Sequence, residues 1–431
     1  MSLPARTDVL ILGGGPAGSA AAIALADAGV ATVVIEGETF PRFHVGESLL
    51  PHSLPLFDRL GVHDRVRSLP HALRKEGASF ATHDGARYVE FWFEDAFAPA
   101  IPNAYQVRRD EFDALLLDVA RERGADVRVP WRATKPHWEG DRLAGAWVRQ
   151  EGGDERLVRA KCVLDASGQH AFLATRMGWK SVYDEHRKMA VVGHFDGVVQ
   201  NPGRAAGNIT IVVTASGWFW FIPFRTGTTS VGAVFDVGRY REVEGGLDAL
   251  FDAVVANTPE AARRLAPARR VMEARAVQNF SFRVSRIHGD GFALVGDAAG
   301  FLDPIFSTGV FIGTTTAVTA ADAVVEALNR RGRVDAADLA ATAARTRDLQ
   351  RLFFSFIRSY YDPHFLAFFF DPHDGMQIPK AIVTLLAADV LRSDRWRWTG
   401  RFRMLQTLAR VQKTARRFGG QLVPPLTAAP G

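Results

Sequence analysis

The sequence is poor in what several large classes of protein are built from. One cysteine, Cys162, stands in 431 residues. Neither an internal disulfide framework nor a four-thiolate zinc or iron–sulfur site is available, and a reducing compartment is permitted. No run of about 20 uninterrupted apolar residues occurs, so nothing reads as a transmembrane helix. The first strand-like run starts within eight residues of Met1, leaving no room for a signal peptide, and the expected location is the cytoplasm. There is no internal repeat and no low-complexity tract. No second histidine or cysteine stands at metal-ligand spacing from His44, so no metal is expected. What remains is the composition of a folded chain of two or three domains, 47% hydrophobic and 23% charged, with 39 glycines and 21 prolines.

Charge of one sign is concentrated near the end. Between Arg392 and Arg417 nine Lys/Arg stand against one acid, Asp394, whereas the whole chain carries only +5, so the rest is mildly acidic. A basic C-terminal segment on such a body suits an anionic partner. Trp396, Trp398 and Phe402 interleave with the arginines, a pattern also met in nucleic-acid-binding segments. A solvated basic helix covering the body accounts for it equally well, and no nucleic acid is expected.

Residues 8–12, DVLIL, form an apolar strand-like run that enters Gly13-Gly14-Gly15-Pro16-Ala17-Gly18. A helical pattern follows to Gly29, and a second β-branched run, ATVVIE, ends at Glu36. This is a βαβ unit with G-x-G-x-x-G at Gly13, Gly15 and Gly18, and an acid 18 residues after the last glycine. The first glycine permits the tight turn, the second lets backbone approach a pyrophosphate, and the third lets helix and strand pack closely. The helix N-terminus, around Ala17, supplies free N–H groups and its dipole. Glu36 is placed for ribose hydroxyls. The unit is that of a dinucleotide-binding protein.

Three further segments extend the pattern. Arg109-Asp-Glu-Phe112-Asp113 opens a helix, residues 162–168 (CVLDASG) read as a strand, and residues 293–297 (ALVGD) as another that ends in Gly296-Asp297. This interrupted set resembles the flavoprotein monooxygenase and glutathione-reductase superfamily. The resemblance implies an α/β, glutathione-reductase-type FAD-binding fold, with FAD as the dinucleotide and Arg109 and Asp297 among its contacts. Between these segments, 77–108 and 188–236 alternate with period two and predict an antiparallel β-sheet layer on the substrate side. From about 335 the pattern is helical and aromatic-rich. The expected division is 1–75 with 105–185 and 280–330 for FAD, 76–104 with 186–279 for the sheet, and 331–431 for a helical C-terminal region.

Four features select a chemistry. On a strand, Gly217-Trp218-Phe219-Trp220-Phe221-Ile222-Pro223 puts both tryptophans on one face and both phenylalanines on the other. Pro223, lacking an N–H, stops the run at an edge or turn; aromatic core packing alone would also explain the run. Phe301-Leu-Asp-Pro304-Ile-Phe-Ser307-Thr308-Gly309 precedes a helix beginning near Val310, whose free N–H groups make an anion site at Thr308 and Gly309. The bland alternative is an ordinary helix start with Gly309 kept small. Lys75, in Arg74-Lys75-Glu76, opens the cover layer; a charged surface turn is the alternative, and Arg74 is the residue most easily mistaken for it. Arg42-Phe-His44-Val-Gly46-Glu47-Ser48 follows the second strand.

With W-x-W-x-I-P at Trp218, Trp220, Ile222 and Pro223, and F-x-x-P-x-x-S-x-G complete at 301–309, the chain resembles the flavin-dependent halogenases. The resemblance implies paired indoles that keep the organic substrate off the flavin and a halide held at Thr308 and Gly309. It implies Lys75 as the catalytic residue that receives hypochlorous acid. Lysine suits this, either as an ammonium that polarises the oxidant or as an amine of lowered pKa that is itself chlorinated. The resemblance of the G-E-S segment implies Ser48 as a cofactor contact beside Gly13, Gly15, Ala17, Gly18, Glu36, Arg109 and Asp297, and offers Glu47 as a gate on the flavin or halide path. Phe306 stands where the free-tryptophan branch carries a glutamate, which argues for the phenol/pyrrole branch, some of whose substrates arrive as thioesters on carrier proteins. The implied activity is FADH2-dependent chlorination or bromination of an electron-rich aromatic in secondary metabolite biosynthesis, with a separate flavin reductase as partner. An acidic carrier protein, steered by the basic C-terminal segment, is the second expected partner. An FAD-dependent aromatic hydroxylase is the alternative.

Overall fold

The strand-like run at the N-terminus becomes the strand Arg6–Leu12, central in an eight-stranded sheet of the computed structural model. The structure describes residues 3–417 and Val423, apart from 99, 184–187, 215–216, 237, 239–242, 279–280, 373–376 and 393. Five strands of this sheet run parallel in the order Phe292–Leu294, Arg156–Asp165, Arg6–Leu12, Thr32–Ile35, Asp126–Arg128. Segments distant in sequence thus meet side by side. Val9 to Leu12 are buried without alternation because both faces of a parallel sheet are covered. Helices α1 (Pro16–Asp27) and α2 (Arg109–Glu122) cover one face. The hairpin formed by Trp131–Glu139 and Arg142–Gln150 joins the core of the other.

The second sheet also has eight strands. Its order is Arg269–Arg270, Lys188–Asp196, Thr228–Asp236, Trp218–Pro223, Ile209–Val213, Gly77–Thr82, Tyr88–Trp92, with Arg275–Gln278 alongside Lys188–Asp196. It is antiparallel as expected except where Ile209–Val213 runs parallel to Gly77–Thr82. Alternation along Trp218–Pro223 separates two cores. Phe219 and Phe221 pack under α3 (Gly246–Ala256) with Phe251, while Trp218, Trp220 and Ile222 face the other way. Gly232, paired with Trp220 on the neighbouring strand, has no side chain because the indole lies across it: a Cβ there would stand 2.2 Å from the ring.

Helix α4 (Thr308–Arg331) starts two residues earlier than the sequence suggests, after Ser307 takes a left-handed conformation at φ 57. Among the described residues it is one helix long and apolar enough to cross a membrane, but most of that stretch is buried inside the protein. Its packing explains the composition, since it lies against α1 in one core and Gly296, where a Cβ would stand 3.1 Å from Gly313 Cα, keeps the preceding turn close to it. Helix α5 (Ala336–Tyr360) opens with a capping box between Asp335 and Asp338. With α6 (Pro363–Phe369), α7 (Ile378–Leu386) and α8 (Trp396–Arg417) it covers the tryptophan face of the second sheet. Phe306 stacks on Phe356 at 4.0 Å, and Phe369 meets Phe80 at 4.8 Å. The aromatic spacing of α8 is core packing, with Trp398 and Phe402 turned inward, Trp396 exposed and the basic residues largely outside. Residues 418–422 and 424–431 of the expected helical region lie outside the described residues.

Gly232→Ala is expected to displace the Trp220 indole and lower stability by about 1–3 kcal/mol in urea denaturation, the cost of overpacking. Gly400→Ala, in α8 where a Cβ meets open space, is expected to raise it by up to about 1 kcal/mol.

Candidate active site

The glycine loop is shaped partly by the chain and partly for something else. Gly13 sits at φ +107 with a would-be Cβ 2.4 Å from the Ala166 carbonyl oxygen, and a Cβ on Gly18 would stand 1.9 Å from the Gly13 oxygen. Those two glycines are demanded by turn and helix packing. Gly15 is not: the nearest atom to its would-be Cβ is Arg42 Nη2 at 3.5 Å, so the loop keeps an open space at the N-terminus of α1. Arg42, quoted in the sequence but given no role there, hangs over that space. It is ion-paired to Glu38 (3.1 Å) and Asp113 (3.4 Å), yet its buried Nε and Nη1 lack hydrogen-bond partners. An open cradle of backbone N–H groups beneath an undersatisfied guanidinium fits the pyrophosphate of FAD. Glu36 accepts from the N–H groups of Gly14 (2.6 Å) and Glu38 (2.7 Å), which fixes its carboxylate beside the loop.

Arg109 opens α2, donates twice to Asp113 (2.7 and 2.9 Å) and once to the Val45 carbonyl (2.5 Å). In the turn Gly296–Ala299 the backbone carbonyl of Asp297 accepts from the Gly300 N–H, while its side chain receives no hydrogen bond from the described residues. Burial pushes its carboxyl up to about 6, with Arg109 opposing the shift. A Cβ on Gly309 would stand 3.9 Å from Asp297 Oδ1 and 3.8 Å from Phe301, ordinary contacts. Nothing among the described residues therefore requires glycine at 309, and the small residue leaves space beside Asp297. Thr308 and Gly309 are the first two residues of α4 itself, so their N–H groups are among the four that no helical carbonyl accepts.

The indoles of Trp218 and Trp220 lie 5.6 Å apart at 47° and are almost wholly buried. Trp220 Nε1 donates to Ser230 Oγ (3.1 Å) and Trp218 Nε1 to Tyr361 Oη (3.1 Å). Ile222 continues the same face, and Pro223 ends the strand at the turn closed by Phe224 and Thr228. Tyr361 in turn donates to Asp303 Oδ2 (2.7 Å), while Asp303 Oδ1 accepts from the Ile305 N–H (3.0 Å). Burial pushes the Asp303 carboxyl up to about 6, moderated by the Tyr361 hydroxyl. Indole, phenol and carboxylate thus tie the tryptophan strand to the 301–309 loop. Sequence reasoning missed Tyr361, which no motif marks; Asp303 lay inside a quoted motif without being singled out.

Lys75 ends the short strand Leu73–Lys75, which pairs with Ala104–Gln106 apart from the large sheets, so it lies ahead of the cover sheet rather than within it. It is 1% exposed, and Nζ donates to Ser48 Oγ (2.6 Å). The Phe93 ring is 5.4 Å away, and no carboxylate pairs with Lys75 among the described residues. Burial pushes the amine down to about 7. Arg74 is the surface residue of the pair, ion-paired to Glu76 at 3.2 Å. Ser48, expected among the cofactor contacts, has its oxygen engaged by Lys75 and its O–H left to donate. The neighbouring Glu47 is fully buried: Oε1 stands 3.1 Å from His194 Nε2 and Oε2 has no partner. Burial and Arg109 hold His44 near 4, hence neutral at pH 7.

An amine that titrates near 7 when folded and near 10.5 when unfolded takes up a proton on unfolding between those values, so its burial cost is full below about pH 7 and gone above 10.5. Lys75→Met is therefore expected to stabilise the fold at about pH 6, with a gain that shrinks by about pH 10, as read by urea denaturation. Tyr361→Phe, which strips Asp303 of a donor and Trp218 of its acceptor, is expected to cost about 1–3 kcal/mol and to shift tryptophan emission.

Residues 6–351 match the FAD binding domain family. A 1H-pyrrole-2-carbonyl-(peptidyl-carrier protein) brominase of Pseudoalteromonas luteoviolacea is 31% identical over 327 residues, covering 75% of this chain and 78% of the relative. A tryptophan 2-halogenase of Chondromyces crocatus is 31% identical over 351 residues, and the chain spans 64% of its length. Among solved structures, the myxobacterial chondrochloren halogenase superposes with a TM-score of 0.78 at 31% identity, over 83% of each chain. A flavin-dependent brominase reaches 0.84 at 27%, over 94% of this chain and 100% of the other. On these likenesses the chain belongs to the flavin-dependent halogenases, oxidoreductases that bind FAD.

Proposed function

We propose that the protein chlorinates or brominates an electron-rich aromatic ring of the phenol or pyrrole type, by way of hypohalous acid handed to Lys75. The observation that carries this reading is a wholly buried lysine whose partner is a hydroxyl, Ser48, rather than a carboxylate. An ammonium kept only for structure is ordinarily paired with an acid when buried; one held near neutrality is available for proton transfer or attack.

Gly13, Gly15, Ala17, Gly18, Glu36, Arg42, Arg109 and Asp297 would hold FAD, which, delivered reduced by a separate reductase, would supply the two-electron activation of oxygen by which halide is oxidised to hypohalous acid. The chain's own residues divide the remaining work. The N–H groups of Thr308 and Gly309 hold the halide without a formal counter-charge. Trp218 and Trp220 keep the aromatic substrate from the flavin side. Lys75 as an ammonium donates a hydrogen bond to the oxidant and polarises it. As a free amine it forms N–Cl and releases water, the nitrogen giving its electron pair to chlorine and one proton to the departing hydroxide. With the amine pushed down to about 7, both forms are populated at neutral pH. Phe306, stacked on Phe356, leaves no carboxylate beside Ser307 and favours small phenol or pyrrole rings over free tryptophan. The pyrrole-carrier relatives support a substrate delivered as a thioester on a carrier protein.

The test supplies protein, flavin reductase, NADH, FAD and chloride or bromide to a panel of phenols, free pyrroles and carrier-bound pyrrole-2-carboxylate, and reads product mass. Halogen isotope patterns that follow the halide supplied are expected. Lys75→Ala is expected to retain FAD and to lose at least about 100-fold in rate. Oxygen insertion independent of halide would instead identify an aromatic hydroxylase.

A further inference from the structure

Helices α5 and α8 meet along one edge of the protein and leave an open cleft of about 500 Å³ between them. Arg351, Arg358 and Arg410 line it, and Gln406 bridges its floor by donating to Ser355 Oγ (3.0 Å) and Ser359 Oγ (2.8 Å). Arg351 is ion-paired to Asp348. Arg358 and Arg410 have no carboxylate partner among the described residues, although Arg358 lies against the Tyr183 ring. The outer face of α8 continues the positive surface through Arg403, Lys413, Arg416 and Arg417, all exposed, with Val411 47% exposed among them. Arg358 and Arg410 stand without an ion pair to the acid that lines the cleft, Asp362, whose Oδ1 accepts from the His364 N–H, and two such guanidinium groups attract an anion.

The cleft also lies directly behind the candidate site. The last turn of α5 turns Arg358 and Ser359 to the cleft, while Tyr360 packs on Phe80 and Phe306 and the adjoining Tyr361 holds Trp218. Phe365 lines the cleft on one side and packs on Phe369 on the other (6.3 Å), and Phe369 packs on Phe80, in the strand that follows Lys75. Buried aromatic rings therefore pack continuously from the cleft to the strand that follows Lys75.

We infer that the cleft between α5 and α8 is the docking surface for an acidic carrier protein, with the phosphodiester of its phosphopantetheine arm seated on Arg358 and Arg410. The inference rests on the carrier-bound substrate proposed above and names where that partner lands. Three features select this occupant. Guanidinium forks match a phosphodiester bidentately. An apolar contact ringed by cations, at Val411, fits an acidic amphipathic helix. A thioester on a long flexible arm is a substrate form that can be held at the surface while its ring reaches the interior.

Binding is measured independently of turnover, by fluorescence anisotropy of a labelled peptidyl carrier protein, with and without its pyrrole-2-carbonyl phosphopantetheine arm, titrated with the full-length protein. Expected is salt-sensitive binding, stronger with the arm, that weakens at least about tenfold in the double variant Arg358→Glu/Arg410→Glu. Binding should be unchanged in Arg149→Glu, an exposed residue at the end of Arg142–Gln150 in the other sheet. Both variants should keep the parent's FAD affinity. In turnover the double variant should raise KM for the carrier-bound pyrrole and leave that for a free phenol alone. No carrier binding, equal binding by the double variant, or tighter binding of labelled single-stranded DNA overturns the docking surface, even if free aromatics are halogenated. Absence of halogenation of any substrate, with carrier binding intact and lost on charge reversal, overturns the proposed activity and upholds the surface.

Discussion

An ammonium held in the interior without a carboxylate is the constraint around which the site is arranged. Removing such a charge from water costs several kcal/mol, and a protein either pairs it with an acid or lets the group shed its proton. Lys75 has been given the second course, with a serine hydroxyl for its one side-chain hydrogen-bond partner among the described residues and a phenyl ring nearby. Every element around it serves that state: a short strand pairing draws it inward, the segment after the second parallel strand brings Ser48, and the turn at Phe93–Asp95 brings the ring.

The indole wall depends on simpler geometry. Alternation along one strand puts two indoles on the same face, and a glycine on the next strand lets the second lie flat. Each indole N–H is satisfied, one by Ser230 and the other through Tyr361 by Asp303, so neither ring can rotate without abandoning a buried donor. Asp303 belongs to the same loop that ends in the first residues of α4, so the indole wall and the candidate halide site are mechanically one unit.

Much of this was legible in the residues because it is local. The glycine spacing of 13–18, the acid at 36 and the alternation at 218–223 each express a geometry that a few neighbouring residues decide. The burial of Lys75 was not local: Arg74-Lys75-Glu76 reads as a surface turn, and only pairing with Ala104–Gln106 and contact with Ser48 turns one of the three inward. Tyr361 meets Trp218 across 143 residues with no motif to announce it. The parallel pairing of Ile209–Val213 with Gly77–Thr82 was invisible for a related reason, since period-two alternation states which face is buried but not which strand lies alongside or in which direction. The early start of α4 reflects Ser307 in a left-handed conformation usually left to glycine or asparagine.

Seven lysines make the central claim directly measurable. A side-chain NMR titration of lysine-labelled protein, with Lys75 assigned by the signal missing from Lys75→Met, reads the amine itself. The account expects that signal to titrate near 7, well below the ordinary value of 10.5. A Lys75 signal that titrates at the ordinary value would mean a solvated or acid-paired ammonium, and both the buried unpaired state and the route through a chlorinated amine would fall.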